Sequence, residues 1–317
     1  VPYNSTFGSI TKPVVTPDDG YTFTGWSIND STKITGAVTA TAQYKANTNT
    51  AYKVEHYTEN LTSGYTLIDT ENLTGTTDTL TSAVAKTLTG FTAKSFSQAT
   101  IAGNGSTVVK IYYDRLSYNL TFDPDNGSEV MTSSVKYGAN ISAPSVTKTG
   151  YAFSSWTPSV PSTMPATDST YKAIWTINSH NLTINYKYID GDEAGTQYSH
   201  SYNYNAGYSI TSPLVAGYTA DKLIVSGTMP DNNVTVDVTY TANTNTAYKV
   251  KHYTENLTSG YTLIDTEDKT GTTDTLTSAV AKTLTGFTAR VFSQANINGN
   301  GSTVIEIYYD RNINTLT

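Results

Sequence analysis

The stretch YKVEHYTENLTSGYTLIDTE at residues 52–71 returns at 248–267 as YKVKHYTENLTSGYTLIDTE, with Glu55 exchanged for Lys251 as the one difference. It is the heart of a longer repeat. Residues 47–115, from NTNTAYKV to IYYDR, recur at 243–311 with an offset of 196 residues and nine substitutions. A recognition site used twice and a building unit copied for length would diverge differently. Here the copies agree at every Tyr and Gly but reverse charge at two positions, Glu55/Lys251 and Lys110/Glu306. A site reading a charged ligand through those positions would not tolerate the swaps, so the repeat reads as a building unit. Within it, AYKVEHY alternates Tyr52, Val54 and His56 against Lys53, Glu55 and Tyr57, the period of two of a half-buried strand.

The rest of the composition agrees. Only 14% of the 317 residues are charged, while Tyr alone contributes 25. Thr and Tyr favour strands, and Asn, Gly, Ser and Asp favour the turns between them. The expected fold class is mostly β, α+β at most. The one candidate helix is TLTSAVAKTL at 79–88, where the Ala-Val-Ala core favours a helix and the flanking Thr favour extended chain. A net charge of −7 disfavours nucleic acid, which needs a basic face. No apolar run approaches the ~20 residues that cross a bilayer, so no direct membrane insertion is expected in this segment. The start, VPYNSTFGSI, lacks the basic and apolar regions of a signal peptide. The absence of cysteine removes disulfides, thiol nucleophiles and zinc–thiolate sites. Small extracellular domains without disulfides are unusual in animals and ordinary on Gram-positive cell surfaces.

A more diverged repeat links VPYNSTFGSITKPVVTPDDGYTFTGW, ending at Trp26, to VKYGANISAPSVTKTGYAFSSW, ending at Trp156. The first of these has lost its front half, and NINTLT at the end of the chain matches LSYNLT at 116–121. The expected blocks are therefore 1–46, 47–115, 116–176, 177–242, 243–311 and the opening of another at 312–317, an excerpt of a longer array. The joints, such as ANTNT, are short and polar, so neighbours are expected to stack end to end into an elongated rod on the order of 150 Å.

The sequence YNLTFDPDNGSEV…VKYGANISAP…TGYAFSSWTPSVPSTMPATDSTYKAIW resembles the Listeria–Bacteroides repeat, the internalin B-repeat family. The shared elements are Asn126-Gly127, Pro144, Gly150-Tyr151-Ala152-Phe153, Trp156 and Ala173-Ile174-Trp175. Block 1–46 carries Gly20-Tyr21-Thr22-Phe23 and Trp26 but ends in AQY where Trp is expected. Block 177–242 is similar to mucin-binding-protein repeats through INYKYIDGDE and VAGYTAD. The YKVEHY…YYDR block looks like the module that accompanies these repeats in adhesins of gut Firmicutes. The resemblance implies a small β-grasp-like fold for each module. It also implies an extracellular, cell-wall-anchored parent that uses this region as a stalk, with host glycan or mucin as the alternative partner.

The sequence offers few chemical sites. Trp26 and Trp156 suit either sugar stacking or a core-filling role at a strand end. The acidic turns DPDNGSE and DGDE invite a calcium reading, but lack the remaining ligands of a calcium loop and also suit plain hairpin turns. His56, His180, His200 and His252 have no second His or nucleophile at useful spacing, so no catalytic, cofactor or metal residue is assigned. An internal Lys–Asn crosslink at Lys53 would need Glu55, which the second copy replaces. The glycan-contact candidates are Tyr112, Tyr113, Tyr308 and Tyr309, adjacent pairs that put one ring in the core and one outside.

Overall fold

The computed structural model describes residues 1–315, nearly all in strands and the turns joining them. It divides into two compact units, Val1–Val146 with Ser154–Ile174, and Thr147–Phe153 with Trp175–Thr317.

In the first unit, β1 (Tyr21–Trp26) and β2 (Ala42–Ala46) form an antiparallel pair. A single 3-10 turn, Phe7–Ser9, brings Phe7 edge-on to Trp26 at 6.5 Å. Residues 47–115 supply β3 (Thr50–Glu59), β4 (Tyr65–Gly75), β5 (Phe91–Ala93) and β6 (Val108–Arg115), in sheet order β4-β3-β6-β5. The outer pairs are antiparallel, and the central pair β3–β6 is parallel, with Lys53 opposite Val108 and Thr58 opposite Tyr113. Alternation sends Tyr52, Val54, Ile111 and Tyr113 inward, where they pack with Ala83 and Ile101.

Across this face the chain runs as extended backbone, which answers the open reading of 79–88: it is not a helix. Thr81 and Ala83 are buried in alternation with exposed Ser82 and Val84. The side-chain amide of Gln98 acts as a substitute strand, accepting from the Ala83 N–H and donating to its carbonyl, both at 2.8 Å. That satisfies locally the backbone that a helix would have satisfied internally.

The same order recurs. Strands β7 (Ser117–Asp123), β8 (Met131–Lys136), β9 (Tyr151–Thr157) and β10 (Ser169–Ile177) form the sheet β8-β7-β10-β9, and the unit boundary runs through β9 and β10. Leu120, Phe122, Met164 and Tyr171 are its buried cluster, with Trp156 packed against Phe122 at 4.8 Å.

In the second unit, β11 (Ser179–Tyr188) and β12 (Glu193–Asn203) form a hairpin. Strands β13 (Gly207–Thr211), β14 (Tyr218–Ala220), β15 (Ile224–Thr228) and β16 (Val234–Ala242) follow. The main sheet is β12-β11-β16-β14, and β13–β15 form a separate pair. The repeat copy gives β17 (Thr246–Glu255), β18 (Tyr261–Gly271), β19 (Phe287–Ala289) and β20 (Val304–Arg311), ordered β18-β17-β20-β19. In all four four-stranded sheets the first and last long strands are parallel neighbours. The chain therefore enters at one end of each sheet and leaves at the other.

Candidate functional site: the repeated joint and the tyrosine face

The feature built most often is the junction between successive sheets. Each begins with a glycine followed by an aromatic residue: Gly20-Tyr21, Gly90-Phe91, Gly150-Tyr151, Gly217-Tyr218 and Gly286-Phe287. All five glycines hold φ between 78° and 81°, a left-handed conformation in which a side chain is strained. Each glycine carbonyl accepts the N–H of the residue entering the next block: Asn47, Leu116, Asn178, Asn243 and Asn312, at 2.8–2.9 Å. That entering residue then accepts, through its own carbonyl, an N–H from within the next block. Thr77, Tyr137, Tyr204 and Thr273 are the donors, at 2.8–3.0 Å.

Two designs of joint share this plan. At Gly20 and Gly217 the facing surface is backbone, Gly103 and Gly299 respectively, and a Cβ on either side would collide. Thr77 and Thr273 donate a second bond to the same glycine carbonyls at 2.9 and 2.8 Å, and Tyr21 and Tyr218 donate to Asp78 and Asp274. The carboxylate of Asp274 pushes the Tyr218 hydroxyl up to about 12. At Gly90 and Gly150 the facing surface is an aromatic ring, Tyr137 or Tyr204, lying where a Cβ would be. Around Gly90, Arg115 stacks on Phe91 at 4.9 Å and donates to the Tyr137 carbonyl at 2.8 Å. Lys136 pairs with Glu59 at 2.5 Å, holding that carboxyl below its usual range. Around Gly150, Asp231 receives the Gly150 N–H, the Asn178 amide and His180 at 2.8–3.0 Å. These hydrogen bonds depress its pKa.

The tyrosine pairs separate as alternation dictates. Tyr113 and Tyr309 are fully buried, so neither can touch a glycan. Tyr112 and Tyr308 lie on the outer face, stacked on Tyr57 and Tyr253 at 5.1 and 5.0 Å, with Tyr65 and Tyr261 edge-on. Among the outer hydroxyls, Tyr57 donates to Glu55 and Tyr308 to Glu306, at 2.6 and 2.8 Å. The Glu55 carboxylate pushes the Tyr57 hydroxyl up to about 12.

The buried hydroxyls reveal a constellation that sequence reading missed. Tyr113 Oη accepts the Lys86 N–H at 2.7 Å and shares a hydrogen bond with His56 Nδ1 at 2.8 Å, and Tyr309 does the same with Lys282 and His252. The second ring nitrogen of the imidazole is Nε2. That atom makes no hydrogen bond among the described residues and faces Glu71 at 3.5 Å, or Glu267 at 3.2 Å in the second copy. Lys86 pairs with Asp69 and Glu71, and both carboxylates raise its pKa, which keeps the amine protonated and non-nucleophilic. With His56 and Tyr113 fully buried, the group serves the core. His56 and Tyr113 are too far apart in sequence for spacing to have paired them.

Lys53 is exposed opposite Asn72, an ordinary register pair on a solvent face. Asp123 and Asp190 each accept the N–H two residues on, at 2.9 and 3.2 Å, as turn-forming carboxylates do. Trp26 and Trp156 are half-buried. The Phe of Gly-Tyr-x-Phe turns outward and meets the closing aromatic edge-on, Phe23 with Tyr44 and Phe153 with Trp175, at 5.8 and 5.7 Å.

Residues 118–185 match the Listeria-Bacteroides repeat domain, and residues 4–49 match the Divergent InlB B-repeat domain. Among solved structures it is similar to the type 2 repeat of the mucus binding protein MUB from Lactobacillus reuteri, at 14% identity over 61% of this chain and 99% of that one, with a TM-score of 0.19. Mub-RV gives 11% identity over the same shares and a TM-score of 0.21. The Bacillus anthracis TIE protein gives 9% over 98% of this chain and 73% of its own, with a TM-score of 0.32. No curated protein matches the chain. The matched families are repeat domains of surface adhesin-like proteins. Among the described residues no helix is long and apolar enough to cross a membrane.

Proposed function

We propose that this chain is a spacer: a repetitive stalk segment of an extracellular, cell-wall-anchored adhesin that carries a distal binding region away from the bacterial surface, without catalysis of its own. The observation that carries the reading is the joint. Five glycines in one conformation use the same carbonyl to receive the entering residue of the next block. Such joints fix neighbouring blocks by backbone geometry, where a flexible linker would let them swing. Parallel first and last strands support the same reading, because a pull on the two ends loads the central strand pair along its length. Small-angle scattering of the chain tests it: a spacer gives an elongated particle, and a compact globule contradicts the proposal.

The second reading is that the blocks themselves bind host glycan or mucin through Tyr112 and Tyr308, the outward members of their pairs. The supporting observation is the stacked Tyr57–Tyr112 platform with its repeat at Tyr253–Tyr308. Silence of the chain on an array of mucin-type sugars counts against this reading and leaves the spacer standing.

A further inference from the structure

The outer side of the repeated sheet is open in both copies, and the two copies present it with their charges reversed. Alternation sends Val54, Val109, Ile111 and Tyr113 into the core and leaves the intervening side chains on the far side. In the first copy these form three rows across the central strands: Lys53 beside Val108, Glu55 beside Lys110, and Tyr57 beside Tyr112. Lys53, Val108 and Lys110 are exposed, and the other three are half-buried. Blocks lie on both sides of 47–115 in the chain, and the rows are open all the same. The second copy repeats the rows as Lys249 beside Val304, Lys251 beside Glu306, and Tyr253 beside Tyr308, with the same pattern of exposure.

Two sheet faces pack with their strands closely aligned. Laid on the first-copy face with strands running the opposite way and the middle rows superposed, the second-copy face matches it at every position. Glu55 comes over Lys251 and Lys110 over Glu306. Tyr57 comes over Lys249 and Tyr253 over Lys53, pairings of an ammonium with a ring face. Tyr112 comes over Val304 and Tyr308 over Val108. Two first-copy faces laid the same way would set Glu55 on Glu55 and Lys110 on Lys110. With strands parallel, two first copies match those charges but leave Lys53 on Val108.

We propose that the outer face of 47–115 in one molecule pairs with the outer face of 243–311 in a second molecule, with strands antiparallel. The charge reversal leaves the pairing inside each sheet intact and acts between molecules, where it selects the unlike copy over the like one. Four strands ~4.8 Å apart and about eight residues long, at ~3.3 Å each, offer about 500 Å² on each side. The total is near the ~1,000 Å² at which specific interfaces begin, so the pairing is weak. It needs neither the spacer reading nor the sugar reading.

The experiment is sedimentation equilibrium of the full chain up to about 1 mM, at low ionic strength, where exposed charges are least screened. The weight-average mass rises with concentration above the 34.2 kDa of one chain. Glu55→Lys combined with Lys110→Glu gives both faces the same charge order and lowers the association constant at least about tenfold. This double variant keeps its fold, because it gives the first copy the arrangement that the second already holds. Adding Lys251→Glu and Glu306→Lys exchanges the two faces and restores the association. A mass independent of concentration, association that survives the double variant, or no recovery in the fourfold variant overturns the proposal.

Discussion

The two copies, 47–115 and 243–311, have the same strand order, equivalent cores and the same buried His–Tyr pair, and they differ at nine positions. The charge reversals are the clearest of these. Glu55 lies opposite Lys110 across the parallel strands β3 and β6, and Lys251 lies opposite Glu306 across β17 and β20. The swap exchanges the two ends of one pair, and the tyrosine hydroxyls follow the carboxylate, from Tyr57 on Glu55 to Tyr253 and Tyr308 on Glu306. A surface conserved for a ligand would keep the positions of its charges. Here only the complementarity is kept, which is what maintenance of a sheet requires. The remaining contrast is at the end of each copy, where Gly90 is covered by Tyr137 and Gly286 is open among the described residues.

The largest expected effect tests the shared core. Ile111→Ala and Ile307→Ala remove equivalent, fully buried side chains and should each cost about 2–5 kcal/mol in the copy that carries them. Native-state hydrogen exchange reads the two copies separately, and clearly unequal losses would break the equivalence. Next come the glycines. Ala at either position meets the left-handed penalty of about 1–2 kcal/mol, but Gly90→Ala also drives a methyl into the Tyr137 ring. Gly90→Ala should therefore cost more than Gly286→Ala, and equal costs would mean that the ring is not seated on the glycine. Smaller still, Glu55→Lys sets two cations opposite each other and should cost about 0.5 kcal/mol, recovered by adding Lys110→Glu. A double-mutant cycle without coupling would show that the reversal in the second copy was unlinked.

The smallest effect is a titration. Lys269, which replaces Leu73, joins Lys282 on Glu267 and lowers that carboxyl to about 2, whereas Glu71 is lowered chiefly by Lys86. A depressed carboxyl stabilises the fold above its unfolded pKa near 4.5, and that contribution is lost as pH falls toward 2. Carboxyl NMR should find Glu267 titrating near 2, and Lys269→Leu should move it up toward Glu71. Identical titration of the two glutamates in the unaltered chain would contradict the ion-pair account.

Much of this was legible in the sequence, for identifiable reasons. Strand alternation at AYKVEHY and the exact return of twenty near-identical residues gave the sheets, because both signals are local. The sequence also separated the Tyr112-Tyr113 pair into one inward and one outward ring. The extended path of 79–88 was undecided, because the partner that settles it is the Gln98 side chain on another segment. That the two charge reversals belong to one pair was not legible, because Glu55 and Lys110 meet only across a parallel pairing distant in sequence. The Gly-Tyr motif was legible only as a shared element of the resemblance, and its use as a joint needs the next block in place.

The central claim is that each copy closes its own core and unfolds as its own unit. Pulling the full chain by its ends in single-molecule force spectroscopy tests that most directly. Each 69-residue copy should give a separate step of equal length, up to ~25 nm of released chain less the folded span. One merged event, or unequal steps from the two copies, would contradict it.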